Sequence, residues 1–170
     1  MIRKINTFLS TYNKYRFKNS WKIDAPLKPV WNEIVNYKNW PEWCYGVHEV
    51  KNIDIISSDI KKGNKFISIW KGTLPYTLTF EAKITNLIPY TFISFKVTGD
   101  LDGIGVCRFS SNNNITIVNF VWNVSPTKLW MKCLAPFAKP LFTRNHNRIV
   151  DSGLNELRTL IINKQLAIQS

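Results

Sequence analysis

The 170-residue chain is long enough for one domain that buries a core without disulfides or metals. Its 45% hydrophobic content, which includes 7 Trp, 6 Tyr and 10 Phe, excludes a disordered chain. Lys and Arg outnumber Asp and Glu by 23 to 11, and the net charge of +12 is explained by a basic, soluble surface or, alternatively, by encounters with anionic partners.

Cysteine usage and hydropathy indicate the compartment. Cys44, Cys107 and Cys133 form no CxxC pair, so the sequence predicts no disulfide framework and a reducing environment. We see no secretory leader, and no apolar run reaches the roughly 18 residues that a membrane span needs. We therefore expect a cytoplasmic protein, with peripheral contact to an anionic membrane as an alternative.

Residues 1–18 form a basic segment with five Lys or Arg residues, no acid and apolar residues at intervals. This pattern is typical of an amphipathic helix on a membrane or on the domain, and equally of a disordered terminus. We assign residues 1–14 to a separate basic segment, helical or disordered, and residues 15–165 to one domain. Apolar and polar residues alternate at 21–25, which predicts a first strand.

Two short helices are predicted after this strand. The apolar residues of 27–37 lie on one helix face, and the helix should start near Pro29, which is tolerated only in a first turn. A second helix is predicted at 39–46, where Asn39 would cap the first turn and Glu42 would complete a capping box.

The middle of the chain predicts a meander of antiparallel strands. The clearest alternation runs from Tyr76 to Ile84, and turn residues separate the segments. Asp100 and Asp102 could be paired carboxylates for acid–base chemistry, but a Gly-bounded hairpin turn with solvated acids explains them better. The predicted strands are 47–56, 65–71, 76–86, 91–98, 103–110 and 115–124.

A long helix ends the chain. Ser125 and Pro126 suit the N-cap and first helical position, and the helical pattern runs to about Asn163. Pro136 and Pro140 should kink or break this helix, because each removes a backbone donor. The order of elements predicts an α+β fold in which a curled antiparallel sheet grips the long helix around an apolar cavity.

Aromatic side chains on the short helix, the strands and the long helix are the strongest functional signal. Many of them must be core, but the architecture predicts that they also line the cavity, where Tyr and Trp offer polar tips that orient a ligand. The predicted ligand-binding residues are Trp40, Trp43, Trp70, Tyr76, Phe80, Phe95, Phe109, Trp122, Trp130, Phe137, Phe142 and His146.

Few residues suggest catalysis. His146 lies on the apolar stripe of the long helix, so it is either a buried, hydrogen-bonded core residue or a ligand-contacting or proton-transferring group. Cys44 and His48 are four residues apart, but a nucleophilic pair would need both on one helix. No ligand spacing or motif predicts a metal site, a cofactor or specific binding of nucleic acid.

Several segments resemble a known family. Residues 21–31 (WKIDAPLKPVW) and 39–43 (NWPEW) resemble the opening of the START-like superfamily, also called SRPBCC or polyketide cyclase/dehydrase-like. Residues 72–78 and 134–146 are similar to a bacterial branch of it. The resemblance, which covers about residues 15–165, implies a helix-grip fold with a seven-stranded antiparallel sheet around a long C-terminal helix and a deep ligand cavity.

The resemblance implies three functions. Relatives carry lipids, sterols, polyketides or quinones, so we expect the chain to bind and carry or sense a hydrophobic small molecule, with His146, Tyr76 and Asn145 orienting its polar group. A polyketide cyclase or dehydratase that uses His146 or Tyr76 as acid or base is the second hypothesis. A membrane-quinone chaperone whose residues 1–18 approach anionic lipid is the third. The sequence favours binding over catalysis.

Overall fold

The structure, a computed structural model, describes residues 13–52 and 60–169. These residues contain one seven-stranded antiparallel sheet with the spatial order β1-β7-β6-β5-β4-β3-β2. The strands are β1 (Tyr15–Ile23), β2 (Val47–Asn52), β3 (Lys65–Trp70), β4 (Leu78–Ile88), β5 (Phe92–Gly99), β6 (Leu101–Asn112) and β7 (Ile115–Pro126). The helices are α1 (Leu27–Val35), α2 (Trp40–Trp43) after a 3-10 turn (Tyr37–Asn39), and α3 (Leu129–Gln169).

Helix α3 crosses the concave face of the sheet and contacts both of its edges. Gly153 of α3 leaves room for Trp21 of the edge strand β1. Ile149 lies against Gly46, just before the other edge strand, β2. The fold class predicted from the sequence, a helix-grip α+β domain with two short helices after the first strand, is confirmed.

Helix α1 closes one end of the structure. Its apolar face, Val30, Trp31 and Ile34, is buried, as its spacing predicts. The Trp31 ring packs edge-on against Phe109 of β6, with 4.8 Å between ring centroids. This cluster also includes Leu157 of α3, so α1 joins the sheet to the second half of the long helix.

The boundaries of the long helix differ from the prediction. Ser125 and Pro126 do not start the helix, because both extend β7 and pair with β6. Pro126 has no backbone N–H to donate. It is tolerated there because β1 pairs with β7 only as far as Val124, so no hydrogen bond to β1 is lost. The sequence predicted a kink or a break at Pro136 and Pro140, and the break is wrong because the helix is continuous through both residues. The same part of the helix carries buried apolar residues that pack into the domain: Met131, Ala135 and Phe142.

Two smaller predictions are also corrected. Asn39 forms no side-chain cap, because it ends the 3-10 turn with helical backbone angles and the chain passes directly into α2. Asp100 does lie in the predicted hairpin turn, between β5 and β6, but its carboxylate is not simply solvated. Its carboxylate accepts a hydrogen bond from the Thr79 backbone N–H at 2.8 Å and pairs with Lys128 at 2.8 Å. Asp102 is exposed on β6, so the two acids do not act as a pair.

The basic N-terminal segment is described only in part. Strand β1 begins at Tyr15, so residues 15–18 are not helical and the first strand is longer than the predicted 21–25. The predicted helical or disordered state of 1–14 concerns mainly residues outside the described part of the chain. Among the described residues, no helix has the length and apolar character that a membrane crossing requires.

Candidate functional site

A cavity of about 240 Å³ lies between the concave face of the sheet and α3. Its walls include members of all three buried clusters of the domain, for example Ile84, Phe142 and Phe66. No Asp, Glu, Lys or Arg is among the described residues that line it. An uncharged, mostly aromatic wall suits an apolar ligand without formal charge.

The structure brings most of the predicted ligand-binding residues to this cavity. Phe109 instead packs against Trp31 of α1, and Trp130 lies half-exposed at the rim. Phe137 is 86% exposed and points away from the cavity. The predicted residues that do line the cavity are Trp40, Trp43, Trp70, Tyr76, Phe80, Phe95, Trp122, Phe142 and His146.

Strand β1 contributes a wall that the sequence reasoning missed. Tyr15, Phe17, Asn19 and Trp21 all line the cavity. Their period-2 spacing is the signal that could have found them. The Lys and Arg residues between them made the pattern of residues 1–18 typical of an amphipathic helix or a disordered terminus, although such residues also belong on the solvent face of an edge strand.

His146 is a neutral, stacked ring in the cavity wall. Its imidazole lies parallel to the Phe17 ring, with 3.7 Å between centroids and 15° between planes. Its Nε2 is 3.4 Å from Asn19 Oδ1. Burial lowers the pKa of His146 to about 4, because the charged form loses water. The ring is therefore unprotonated near neutral pH.

Several buried side-chain N and O atoms in the cavity wall have no hydrogen-bond partner among the described residues. They are the hydroxyl of Tyr15 and the indole Nε1 atoms of Trp21 and Trp43. Burial raises the pKa of Tyr15, and burial together with the nearby Tyr15 raises the pKa of Tyr76 to about 12. Both phenols therefore keep their protons near neutral pH and can donate hydrogen bonds.

Asn145 of α3 holds a loop over the cavity. Its Oδ1 accepts hydrogen bonds from the backbone N–H and the hydroxyl of Thr73, both at 3.0 Å. Gly72 is required beside it, because a Cβ at this position would lie 2.5 Å from Asn145 Oδ1. The predicted ligand-orienting Asn145 therefore uses its oxygen to fasten the β3–β4 loop to α3.

The geometry does not favour a Cys nucleophile or a metal. Burial and the charge of Glu156 raise the pKa of Cys44 to about 12, so its thiol stays protonated. His48 lies on β2 and is exposed, whereas Cys44 lines the cavity. The described residues hold no cluster of three or more His, Cys, Asp or Glu side chains that could bind a metal ion.

No protein-family model matches the chain, and no curated protein sequence matches it. Solved structures do match. The protein TTHA0849 from Thermus thermophilus has a TM-score of 0.72 and 12% identity, with 88% of this chain and 99% of that chain covered. The Zhui aromatase/cyclase from a Streptomyces species has a TM-score of 0.72 and 10% identity, with 89% and 95% covered.

A third match is the di-domain aromatase/cyclase BexL from the BE-7585A biosynthetic pathway. Its TM-score is 0.66 and its identity 18%, and the likeness covers 92% of this chain and 53% of that chain. The chain therefore corresponds to about half of that protein. At such identities the likeness concerns the fold. The chain has the helix-grip fold of these solved structures.

Proposed function

We propose that the protein binds a hydrophobic small molecule in its cavity and carries or senses it. The observation that supports this most strongly is the combination of an uncharged aromatic wall with buried donors that have no partner in the described structure: Tyr15, Trp21 and Trp43. A buried donor without a partner costs about 1–3 kcal/mol, so an acceptor on a ligand would recover that free energy.

These donors define the ligand class. Trp indoles can only donate, and the Tyr15 phenol keeps its proton, so the ligand needs acceptor oxygens on an apolar body. Ketone, quinone and ester carbonyls meet this need, as found in polyketides, quinones and lipids. About 330 Å² of buried apolar ligand surface supplies roughly 8 kcal/mol, the free energy of micromolar binding, before ordering costs are subtracted.

Filling the cavity should weaken ligand binding. Val150 of α3 lines the cavity, and Val150→Phe adds an aromatic ring to that space. We expect the affinity for Nile red to fall about tenfold or more, because the added ring displaces part of the ligand and the lost contacts contribute more than about 1.4 kcal/mol of binding free energy. Native mass spectrometry of the purified wild-type protein should show a co-purifying molecule that Val150→Phe lacks.

The matched control is Val121→Phe. Val121 lies on β7 but is not part of the cavity wall, so its affinity for Nile red should stay within about twofold of the wild type. Thermal unfolding of both variants shows whether they remain folded. Equal loss of binding in the two variants, or wild-type protein that binds no apolar probe and carries no ligand, contradicts the proposal.

The second candidate is an aromatase/cyclase-type enzyme, favoured by the fold likeness and by the positions of Tyr76 and His146 in one wall. A general base works best with a pKa near the working pH, whereas His146 has a pKa of about 4 and Tyr76 one of about 12. Binding is therefore the better supported function. Incubation with a linear poly-β-ketone, followed by mass spectrometry, would support catalysis if a dehydrated cyclic product forms with wild type and not with His146→Gln.

A further inference from the structure

The first half of α3 carries a second apolar face that points away from the cavity. Four large side chains recur there at i, i+4, i+7 and i+11, which places them on one face of a helix. All four are exposed, and Phe137 is 86% exposed. We call this face the outer stripe; it consists of Trp130, Leu134, Phe137 and Leu141.

Two arginines lie on the same side of α3 as the outer stripe, just beyond its last residue. Residues 128–150 contain five Lys or Arg residues and no acid. Lys128 pairs with Asp100, and Lys139 donates to the Lys14 carbonyl oxygen. The helical repeat places Arg144 and Arg148 on the side of α3 that carries the stripe, and neither has an acidic partner among the described residues.

We propose that the outer stripe docks the protein on an anionic lipid bilayer. A helix with an aromatic and aliphatic stripe beside Lys and Arg is typical of one that lies in the plane of the membrane interface. The stripe would enter the boundary between headgroups and acyl chains, and the cations would meet lipid phosphates.

Charge favours a bilayer over the other occupants of this surface. A second copy of the chain would bring two faces of the same basic segment together, which like charges oppose. The N-terminal residues 1–12, with two basic residues and no acid, carry the same sign as the stripe surroundings. An anionic bilayer supplies both an apolar layer for the stripe and negative charge for Arg144 and Arg148.

The outer stripe adjoins the cavity. The Trp130 ring packs edge-on against Tyr76, with 5.3 Å between centroids, and against Phe142 at 6.5 Å. Both partners line the cavity. A docked stripe therefore places this end of the cavity at the lipid surface, where a lipophilic ligand is dissolved. The inference goes beyond ligand binding, since docking requires no ligand.

Vesicle flotation of the full chain tests the proposal. We expect wild-type protein to float with vesicles that contain about one third phosphatidylglycerol in phosphatidylcholine, and to bind pure phosphatidylcholine far less. Phe137→Glu should weaken binding at least about tenfold, because it places a carboxylate in the stripe. High salt should weaken wild-type binding, since it screens exposed charges.

Ile162→Glu is the matched control, because Ile162 is 52% exposed on the same helix but outside the stripe. It should float within about twofold of the wild type. Val150→Phe should also float normally, so loss of ligand binding and loss of docking are distinguishable. A wild type that does not float, or equal losses in Phe137→Glu and Ile162→Glu, overturns the proposal.

Two further results would overturn membrane docking through the outer stripe. One is a wild-type dimer in sedimentation velocity that Phe137→Glu dissociates, since the stripe would then bind a second copy. The other is full flotation of Phe137→Glu together with none for the double variant Arg3→Glu, Lys4→Glu. That result would place the membrane contact in the basic N-terminal segment.

Discussion

Gly103→Ala is expected to lower the free energy of unfolding by more than about 3 kcal/mol, whereas Gly105→Ala should lower it by only about 1 kcal/mol. Both glycines lie on β6 and receive the same added methyl group. At Gly103, φ is 155°, and a Cβ would overlap the carbonyl oxygen of Asn123 and lie 2.8 Å from Val124 Cα. Backbone of the neighbouring strand cannot move aside without loss of pairing.

At Gly105 the obstacle is a side chain. A Cβ there would overlap the Phe95 ring, whose far edge can rotate away. The ring lies in the cavity wall beside Trp122, with 5.2 Å between centroids, so it would move into the cavity. We therefore expect Gly105→Ala to fold but to bind Nile red at least about threefold more weakly, a change of roughly 0.6 kcal/mol.

Urea unfolding of the wild type and the two variants measures both losses of stability, and a Nile red titration of Gly105→Ala measures the effect on the cavity. If the two substitutions cost the same free energy, then the distinction between a backbone and a side-chain obstacle is wrong. Unchanged Nile red affinity in Gly105→Ala would show that the Phe95 ring finds space outside the cavity.

The sequence predicted the sheet well because strand periodicity is local. Alternation from Tyr76 to Ile84 requires only that one face be buried, and β4 is found at Leu78–Ile88. The ends of elements were less predictable because pairing with distant strands sets them. Ser125 carries a helix-start signal, yet β6 pairs with it and keeps it in β7. Whether Ser125 starts the helix or stays in the strand depends on its pairing with Asp102, which lies 23 positions earlier in the chain.

The candidate site shows why periodicity alone is insufficient. Two stripes on α3 have the same i, i+4, i+7, i+11 spacing, one residue apart. The inner one comprises Met131, Ala135, Ala138 and Phe142, and the outer one comprises Trp130, Leu134, Phe137 and Leu141. The sequence cannot say which one meets the sheet, because only tertiary packing selects the face. Trp130 and Phe137 were therefore predicted at the cavity, and the structure places them on the outer stripe.

Acidification is expected to destabilise the domain through His146, by up to about 3 kcal/mol between pH 7 and pH 4. The pKa of His146 is about 4 in the fold and about 6.5 when the chain is unfolded. Below pH 6.5 the unfolded chain therefore binds a proton that the folded chain does not. Stability falls as the pH drops from 6.5 towards 4, and below 4 this contribution changes no further.

Urea unfolding of wild type and His146→Gln at a series of pH values isolates this contribution. Gln keeps a polar group near Asn19 but does not titrate, so the stability difference between the two proteins should change by up to about 3 kcal/mol across this range. Carboxylates titrate in both proteins and cancel in the difference. His48→Gln, the same substitution at an exposed histidine on β2, is the matched control. Parallel stability curves for wild type and His146→Gln would mean that the His146 ring is hydrated or charged. The cavity wall at His146 would then be polar and would favour a ligand with a polar group at that point.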